Sequence, residues 1–564
     1  MIAREHAIES LAGHRFDVVV IGGGITGAGV ALDAATRGYS VALLEKTDFA
    51  AGTSSRSSKL VHGGLRYLQN FDLGLVREAL LERQLLVKLA PHLVRPLKLV
   101  VPAFDGDRPD LLVGIGLNMY DVMATPRLRG RRSARRAAVE AGADPDGDWS
   151  PERHRMISGE EVVDLLPALA GRNPTGGYLF YDCQTDDARL VLTVLGEAER
   201  FGAICANRLE VVELVREDGR ESGVRVRDAE TDSEFVVHAD NVVNATGVWA
   251  DRIRPEELHS EADVPTIRPS RGTHITVAHE DLPLVAGAIV PAAGGRTIFA
   301  LPWLGRSLIG TTDNDYDGEI DHVKPSAEDV AYLLEATNSF FGTTLAESDL
   351  TGAYAGVRPL ISTGDTKKSV DISRKAELYE TSSGMITITG GKLTTWRRMA
   401  KLAVDRLVER DGRAAPCRTK EIPLGLAVDP ASLPEVEGVP EGSYAALAAR
   451  YGHAAHEVLR TAAEGGAHAA LELAQPIVPG LPDLLAEVPF AARYEQARSV
   501  GDVLLRRTRL GILAAGELHA QDGAALARVA QALGGELGWD ERRVSLELER
   551  FRVEGELEGI LAEV

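Results

Sequence analysis

The sequence predicts an α/β fold: a Rossmann-like dinucleotide-binding domain, a second β-rich domain and an all-α C-terminal domain. Three observations predict it. An apolar, β-branched run at Asp17–Ile21 leads directly into Gly22-x-Gly24-x-x-Gly27 and a helix-forming stretch. Short strand runs separated by polar turns fill the middle of the chain. From about residue 411 Ala, Leu, Glu and Arg dominate and strand signals fade.

The N-terminal unit carries the strongest signal. Residues 1–15 read as a polar lead-in. After the glycines, Ala28–Arg37 forms a helix, Gly38 ends it, and Tyr39–Leu44 is a second strand closing on Glu45. Gly22 permits the tight turn, Gly24 lets a pyrophosphate approach the backbone, and Gly27 lets the helix lie close on the strand. Gly23 and Thr26 belong to the same turn and join the cofactor-binding candidates. The helix N-terminus offers N–H groups and a positive dipole end to phosphate. Glu45 lies 18 residues past Gly27, where a carboxylate can accept ribose hydroxyls.

The loop Gly52–Leu68 follows, GTSSRSSKLVHGGLRYL. Its small and hydroxyl residues suit close contact with a cofactor, so Thr53, Ser54, Ser57 and Lys59 are candidates. Arg56, Lys59 and Arg66 could meet phosphate or substrate charge. Leu73–Ala90 is an amphipathic helix, Arg95–Phe104 a strand and Leu111–Met123 an apolar helix. Arginines 127, 129, 131, 132, 135 and 136 then cluster, either on a solvated loop or against anionic headgroups.

A short helix at Glu160–Leu166, a strand at Gly176–Tyr181 and a helix at Asp186–Phe201 precede a β-meander: Leu209–Val215, Gly223–Asp228 and Glu234–Val237. A separate strand, Asn241–Gly247, returns the chain to the nucleotide domain and places Gly247 beside the cofactor. Pro269–Val277, Gly295–Pro302 and Ser307–Thr312 are strands of another sheet. Asp313–Gly318 resembles the start of a calcium loop, but the position needing a bidentate Glu is Lys324, so it reads as a turn. Ala327–Phe340 is a helix. Thr351–Leu360 and Asp371–Tyr379 bring in Arg358, Arg374 and Lys375, and Met385–Ile388 is a strand. Gly390–Thr395 then opens a helix to about Glu409, a second helix N-terminus suited to an anion or a polar ring edge; it brings in Gly391, Lys392, Leu393 and Thr394. In the C-terminal part Ser443–Tyr451, Ala455–Thr461, Tyr494–Leu504 and Asp522–Leu533 read as helices.

Composition bounds the function. A net charge of −21 argues against general nucleic-acid binding, so an anionic ligand must be held by a local basic cluster. Cys183, Cys205 and Cys417 lie far apart and suggest neither a disulfide framework nor a metal site, which fits a reducing cytoplasm. The N-terminus has no apolar signal region, and no stretch approaches the length of a spanning helix. No metal is expected.

With these elements placed, the chain resembles FAD-dependent glycerol-3-phosphate dehydrogenase, the respiratory, quinone-linked enzyme. The resemblance rests on IGGGITGAG (21–29), TSSRSSKLVHGGLRYL (53–68), NATGVW (244–249), RGTHI (271–275), GTTD (310–313), GVRPL (356–360), GGKLTTWR (390–397) and DVLLRRTRLG (502–511), in order along most of the 564 residues. It implies a body like that of glutathione reductase and D-amino-acid oxidase over residues 1–410. FAD-binding segments would cover about 14–90, 185–250 and 350–410, and substrate-domain segments about 91–184 and 251–349. A helical domain would cover 411–564. It further implies FAD, a homodimer and peripheral attachment at the inner face of the membrane.

The resemblance implies oxidation of the C2 hydroxyl of glycerol 3-phosphate to dihydroxyacetone phosphate. Bidentate arginine suits a phosphate dianion, so Arg358 and Arg374 are expected to hold it, with Arg66 and Tyr67 nearby. His274 is the candidate base, with His62 as competitor. Lys392 could lie at the flavin edge or bind substrate. The catalytic candidates are therefore His274, Arg358 and Lys392. No cluster spacing suggests a second redox centre, so the electron acceptor is external, a quinone or dioxygen. A glycerol-3-phosphate oxidase and a non-catalytic flavin-binding scaffold are the competing readings.

Overall fold

A computed structural model describes residues 3–64, 72–104, 111–124, 152–253, 266–362, 376–464, 467–520 and 523–560. Two sheets form among them. The first is built on the strand Arg15–Ile21, whose V-V-V-I run is buried on both faces as a central parallel strand requires. It pairs in parallel with Val41–Leu44 on one side and Glu234–Asn244 on the other. Ile204–Ala206 extends the sheet past Val41–Leu44, and Ile386–Gly390 extends it past Glu234–Asn244. The helix Ile25–Thr36 packs on this sheet. Gly29 admits the buried Trp396 of the helix Trp396–Arg410, since a Cβ there would stand 2.6 Å from the indole.

The second sheet is antiparallel for the most part. Its long pair is Thr266–Ala278 against Leu350–Ser362, in register from Thr266 opposite Ser362 to His274 opposite Tyr354. Arg306–Gly310 and Arg296–Trp303 continue it, and Arg95–Ala103 with Gly176–Gln184 complete the far side. Leu60–Val61, a short strand within the stretch read as the Gly52–Leu68 loop, pairs with Gly176–Gln184 and stitches the cofactor loop to this sheet.

Four expectations need correction. Residues 1–15 are not only a lead-in: Arg4–Gly13 is a helix that buries Ala7 and Leu11, and Arg4 pairs with Asp228 at 2.6 Å. The strands expected at Glu234–Val237 and Asn241–Gly247 are one strand, Glu234–Asn244. It pairs with the meander at its start and with Arg15–Ile21 at its end. The polar residues His238 and Asp240 point to solvent between buried neighbours, so alternation continues across the apparent break. Residues 350–362, expected in the FAD-binding half, are a strand of the second sheet. The helix expected at Tyr494–Leu504 ends instead at Glu495. Gln496 turns left-handed (φ 54°) and its side chain bonds Cys205 O at 2.9 Å and Asn207 N at 3.2 Å. A wide-turn helix, Asp502–Arg507, follows.

The C-terminal helices dock through buried ion pairs. Asp48 accepts from Arg506 at 2.6 Å and from Arg507 at 2.6 and 2.9 Å. Arg208 donates to Asp502 at 2.7 Å. The arginines of DVLLRRTRLG thus join the helical part to the dinucleotide unit.

Candidate active site

A cavity of about 1140 Å³ opens beside the glycine turn, and both sheets and the C-terminal helices contribute to its wall. Ligands in open α/β sheets bind at the carboxyl ends of the strands, and here Ile21 and Gly22 stand at that end of the central strand. Gly22 has φ +110°, and a Cβ there would meet Ala245 O at 2.7 Å. A Cβ on Gly27 would fall 1.9 Å from Gly22 O, so only glycine lets the helix start this close to the strand.

Gly22, Gly24, Thr26 and Glu45 line the cavity, whereas Gly23 and Gly27 shape the turn behind it. Ser54 Oγ accepts from Ile25 N at 2.9 Å and so satisfies one exposed donor of the helix. Glu45 accepts from Gly23 N at 2.8 Å and from Thr47 N at 2.9 Å. A carboxylate has about four acceptor positions, so these bonds orient Glu45 while leaving capacity for hydroxyl donors.

The loop hydroxyls are committed to protein partners as well as facing the cavity. Thr53 Oγ1 donates to Val357 O at 2.6 Å, and Ser57 Oγ donates to Asp187 at 2.7 Å. Gly247, Gly391, Lys392, Leu393 and Thr394 line the cavity as well. Thr394 Oγ1 accepts from His62 N at 3.0 Å and donates to His62 O at 3.2 Å, clamping the two wall segments together. Lys59 departs from the expected cofactor contact. It is fully buried and bonds Asp187 at 2.8 and 2.9 Å and Ser55 O at 2.6 Å. A buried ammonium needs such partners more than a distant phosphate.

These residues fit a flavin dinucleotide. The glycine turn brings the positive end of the helix to the cavity, Glu45 is oriented beside it, and the space exceeds an ordinary small-ligand pocket.

His274, Arg358 and Lys392 also line this cavity. Cross-strand glycines make room for the first two. Gly310 lies opposite His274, and a Cβ there would sit 2.2 Å from His274 Cδ2. Gly272 would place a Cβ 2.5 Å from Arg358 Nη2. The His274 imidazole is 2 % exposed, stacks on Tyr354 with 4.8 Å between ring centres, and shares a 2.9 Å hydrogen bond between Nε2 and Ser58 Oγ. Burial, helped by the Lys59 and Arg358 cations, holds it well below the ordinary imidazole value. It is therefore neutral at neutral pH, the form a base requires.

Arg358 donates to Thr311 Oγ1 at 3.2 Å, Thr312 O at 3.3 Å and Asp313 at 3.4 Å. All three are longer than the usual 2.9–3.0 Å of such bonds. A phosphate dianion would compete well for this guanidinium.

Arg66, Tyr67, Arg374 and the arginines at 127–136 lie outside the described residues. Sequence reasoning missed Ser58, Tyr354 and the cavity wall contributed by Arg498, Glu554 and Glu558. Ser58 stands inside TSSRSSKLVHGGLRYL and Tyr354 within Thr351–Leu360, neither with a role, and the last is reachable only through the docking of DVLLRRTRLG.

The chain is similar to known proteins along nearly its whole length. Residues 17–406 match the family model described as FAD dependent oxidoreductase, and residues 386–544 match the C-terminal domain of alpha-glycerophosphate oxidase. The glycerol-3-phosphate dehydrogenase of Mycobacterium leprae is 37% identical over 570 residues, covering 98% of this chain and 91% of that protein. The mitochondrial glycerol-3-phosphate dehydrogenase of Arabidopsis thaliana is 36% identical, covering 98% of this chain and 87% of that one. The structure of the glycerol-3-phosphate dehydrogenase from Bacillus halodurans, complexed with FAD, aligns with a TM-score of 0.76 at 28% identity, covering 100% of this chain and 98% of that one. The chain belongs to the glycerol-3-phosphate dehydrogenase family of FAD-dependent oxidoreductases.

Proposed function

We propose that this chain oxidises glycerol 3-phosphate at C2 to dihydroxyacetone phosphate and passes the electrons to a membrane quinone. The observation that carries the reading is the single cavity whose wall holds the glycine turn together with His274, Arg358 and Lys392. When bound, FAD supplies the two-electron oxidant. Arg358 binds the phosphate, and Lys392 adds positive charge in a chain whose net charge is −21. Arg66, Tyr67 and Arg374 join the phosphate site on the strength of the family resemblance. His274 takes the C2 hydroxyl proton on its neutral imidazole.

The acceptor assignment draws on the helix Leu111–Ala124. Its buried face holds Leu117 and Tyr120, while Ile115, Met119 and Val122 are exposed at helical spacing. Such a stripe suits a membrane surface, and the arginines at 127–136 follow it directly in sequence. Among the described residues no helix is long and apolar enough to cross a membrane, so attachment would be peripheral.

One observation favours a second reading. The C-terminal family match is named for an oxidase, which would reduce dioxygen to hydrogen peroxide. Anaerobic addition of glycerol 3-phosphate to the purified flavoprotein tests both. Bleaching of the visible flavin band, reversed faster by a quinone analogue than by oxygen, is the expected result. Stoichiometric peroxide with slow quinone reduction would favour the oxidase. A band that does not bleach would overturn the substrate assignment.

A further inference from the structure

Three charged side chains from different parts of the chain meet behind His274. Lys59 belongs to the hydroxyl loop, Asp187 begins the helix Asp187–Arg200, and Arg509 belongs to the C-terminal part. All three are buried. Asp187 accepts from Lys59 Nζ at 2.8 and 2.9 Å, from Ser57 N at 2.9 Å, from Ser57 Oγ at 2.7 Å and from Arg509 at 3.4 Å. Arg509 and Lys59 both donate to Ser55 O at 2.6 Å. The backbone is left-handed at Lys59 (φ 59°) and Arg509 (φ 69°), a conformation that long side chains seldom adopt. Such strain persists where the surroundings over-determine it, and it clusters at working sites.

The cluster leads to the base by two routes. Lys59 Nζ stands 4.7 Å from the centre of the Tyr354 ring, which also stacks on His274. Tyr354 OH donates to Ser57 O at 2.8 Å. The backbone from Ser55 to Lys59 is thereby fixed on both sides of Ser58. Ser58 Oγ is the only hydrogen-bond partner of the His274 ring among the described residues, since Nδ1 is buried and has none. The ring takes its orientation from that bond and from the Tyr354 stack.

We infer that Ser58, fixed by the Asp187–Lys59–Arg509 cluster, positions His274, so that the C-terminal domain takes part in catalysis through Arg509 without touching substrate. The inference rests on the reading of His274 as base. The charged and titratable groups facing the ring are Lys59 from the loop and Arg358 and Tyr354 from the strand Leu350–Ser362; the strand Arg306–Gly310 presents Gly310 here. Lys59 is itself pushed down to about 7, by burial first and by Arg509 second, against the pull of Asp187.

The test uses the full-length FAD-loaded protein and the variants S58A, R509K, K59M and H274Q. Flavin content, melting temperature and the anaerobic rate of flavin bleaching by glycerol 3-phosphate are measured across pH. S58A and R509K are expected to keep their flavin and a KM within about twofold of wild type, yet bleach roughly tenfold or more slowly, as losses of supporting partners commonly do. K59M removes a cation beside the imidazole, so its acid limb moves to higher pH. Should R509K not fold, S58A carries the test alone, because it removes only a hydroxyl. Wild-type rates in S58A and R509K, with H274Q slow, would overturn the inference. Flavin lost in step with rate would do the same, because the cluster would then merely build the pocket. A wild-type rate in H274Q would instead remove the base reading itself, and the inference with it.

Discussion

The two ends of the cavity are built differently. The dinucleotide end is local: one strand, one turn and one helix, within residues 15–36, supply most of its shape. The oxidising end is assembled across strands, with His274, Gly310, Tyr354 and Arg358 brought together by register in the second sheet. Local geometry is written in a short run of sequence. Cross-strand geometry depends on which residue stands opposite which, and a slip of one residue would turn every side chain to the other face. Damage at the first end should remove the cofactor, and damage at the second should remove chemistry from a protein that still holds it.

The largest effect is expected from Gly27→Ala. The new methyl would fall 1.9 Å from Gly22 O, an atom of the backbone that cannot swing aside. Overpacking of this kind costs about 3 kcal/mol or more. The purified variant should lack the visible flavin band altogether. A normal ratio of visible to ultraviolet absorbance would show that the turn does not hold the cofactor.

Gly310→Ala is the counterpart at the other end. Its methyl would stand 2.2 Å from His274 Cδ2 and must displace the imidazole. Flavin content should be unchanged while bleaching slows by roughly a hundredfold, the scale expected when a reacting group moves about 1 Å. The pH profile sharpens the same point. A base must be unprotonated, and burial with two nearby cations keeps His274 well below the ordinary imidazole value. The wild-type bleaching rate should therefore stay level through neutrality and fall only in acid. A limb at the ordinary histidine value, near 6.5, would assign the base elsewhere.

Arg358→Lys should act on binding more than on chemistry. It keeps one charge and loses the planar fork, a change worth about 1.5–3 kcal/mol where a charged group is the acceptor. KM for glycerol 3-phosphate should rise roughly tenfold or more at little change in kcat. A lowered kcat at constant KM would place the phosphate on other residues.

The same contrast explains what was legible in the sequence. The strand–glycine turn–helix unit could be read residue by residue because its determinants are adjacent. His274, Arg358 and Lys392 were legible as chemistry-bearing types inside motifs. That Gly310 empties the space for the imidazole was not, because it depends on the pairing of two residues 36 positions apart, His274 and Gly310. Lys59 illustrates the opposite error. Its place in a loop of small and basic residues suggested a ligand contact, but Asp187, distant in sequence, claims it. The strand Glu234–Asn244 reads as two in the sequence because its polar stretch resembles a turn, whereas its exposed positions alternate.

The smallest expected effect lies where the C-terminal helix Glu541–Glu558 closes the cavity wall. Glu558 pairs with Arg56 of the cofactor loop at 2.7 Å and with His322 Nδ1 at 3.0 Å. The hydrogen bond to Glu558 raises the His322 imidazole above its ordinary value. The folded state therefore binds that proton more tightly than the unfolded chain. Its contribution to stability is complete below the unfolded value near 6.5 and is lost as pH rises through the higher folded one. His322 is 48 % exposed, so solvent screening holds the contribution under about 1 kcal/mol. Urea midpoints for wild type and His322→Gln should differ slightly below pH 6.5 and converge in mild alkali, with flavin content and bleaching rate unaffected. Equal midpoints at every pH would mean that Arg56 alone secures Glu558, and a change in flavin content would make this helix terminus part of the cofactor end.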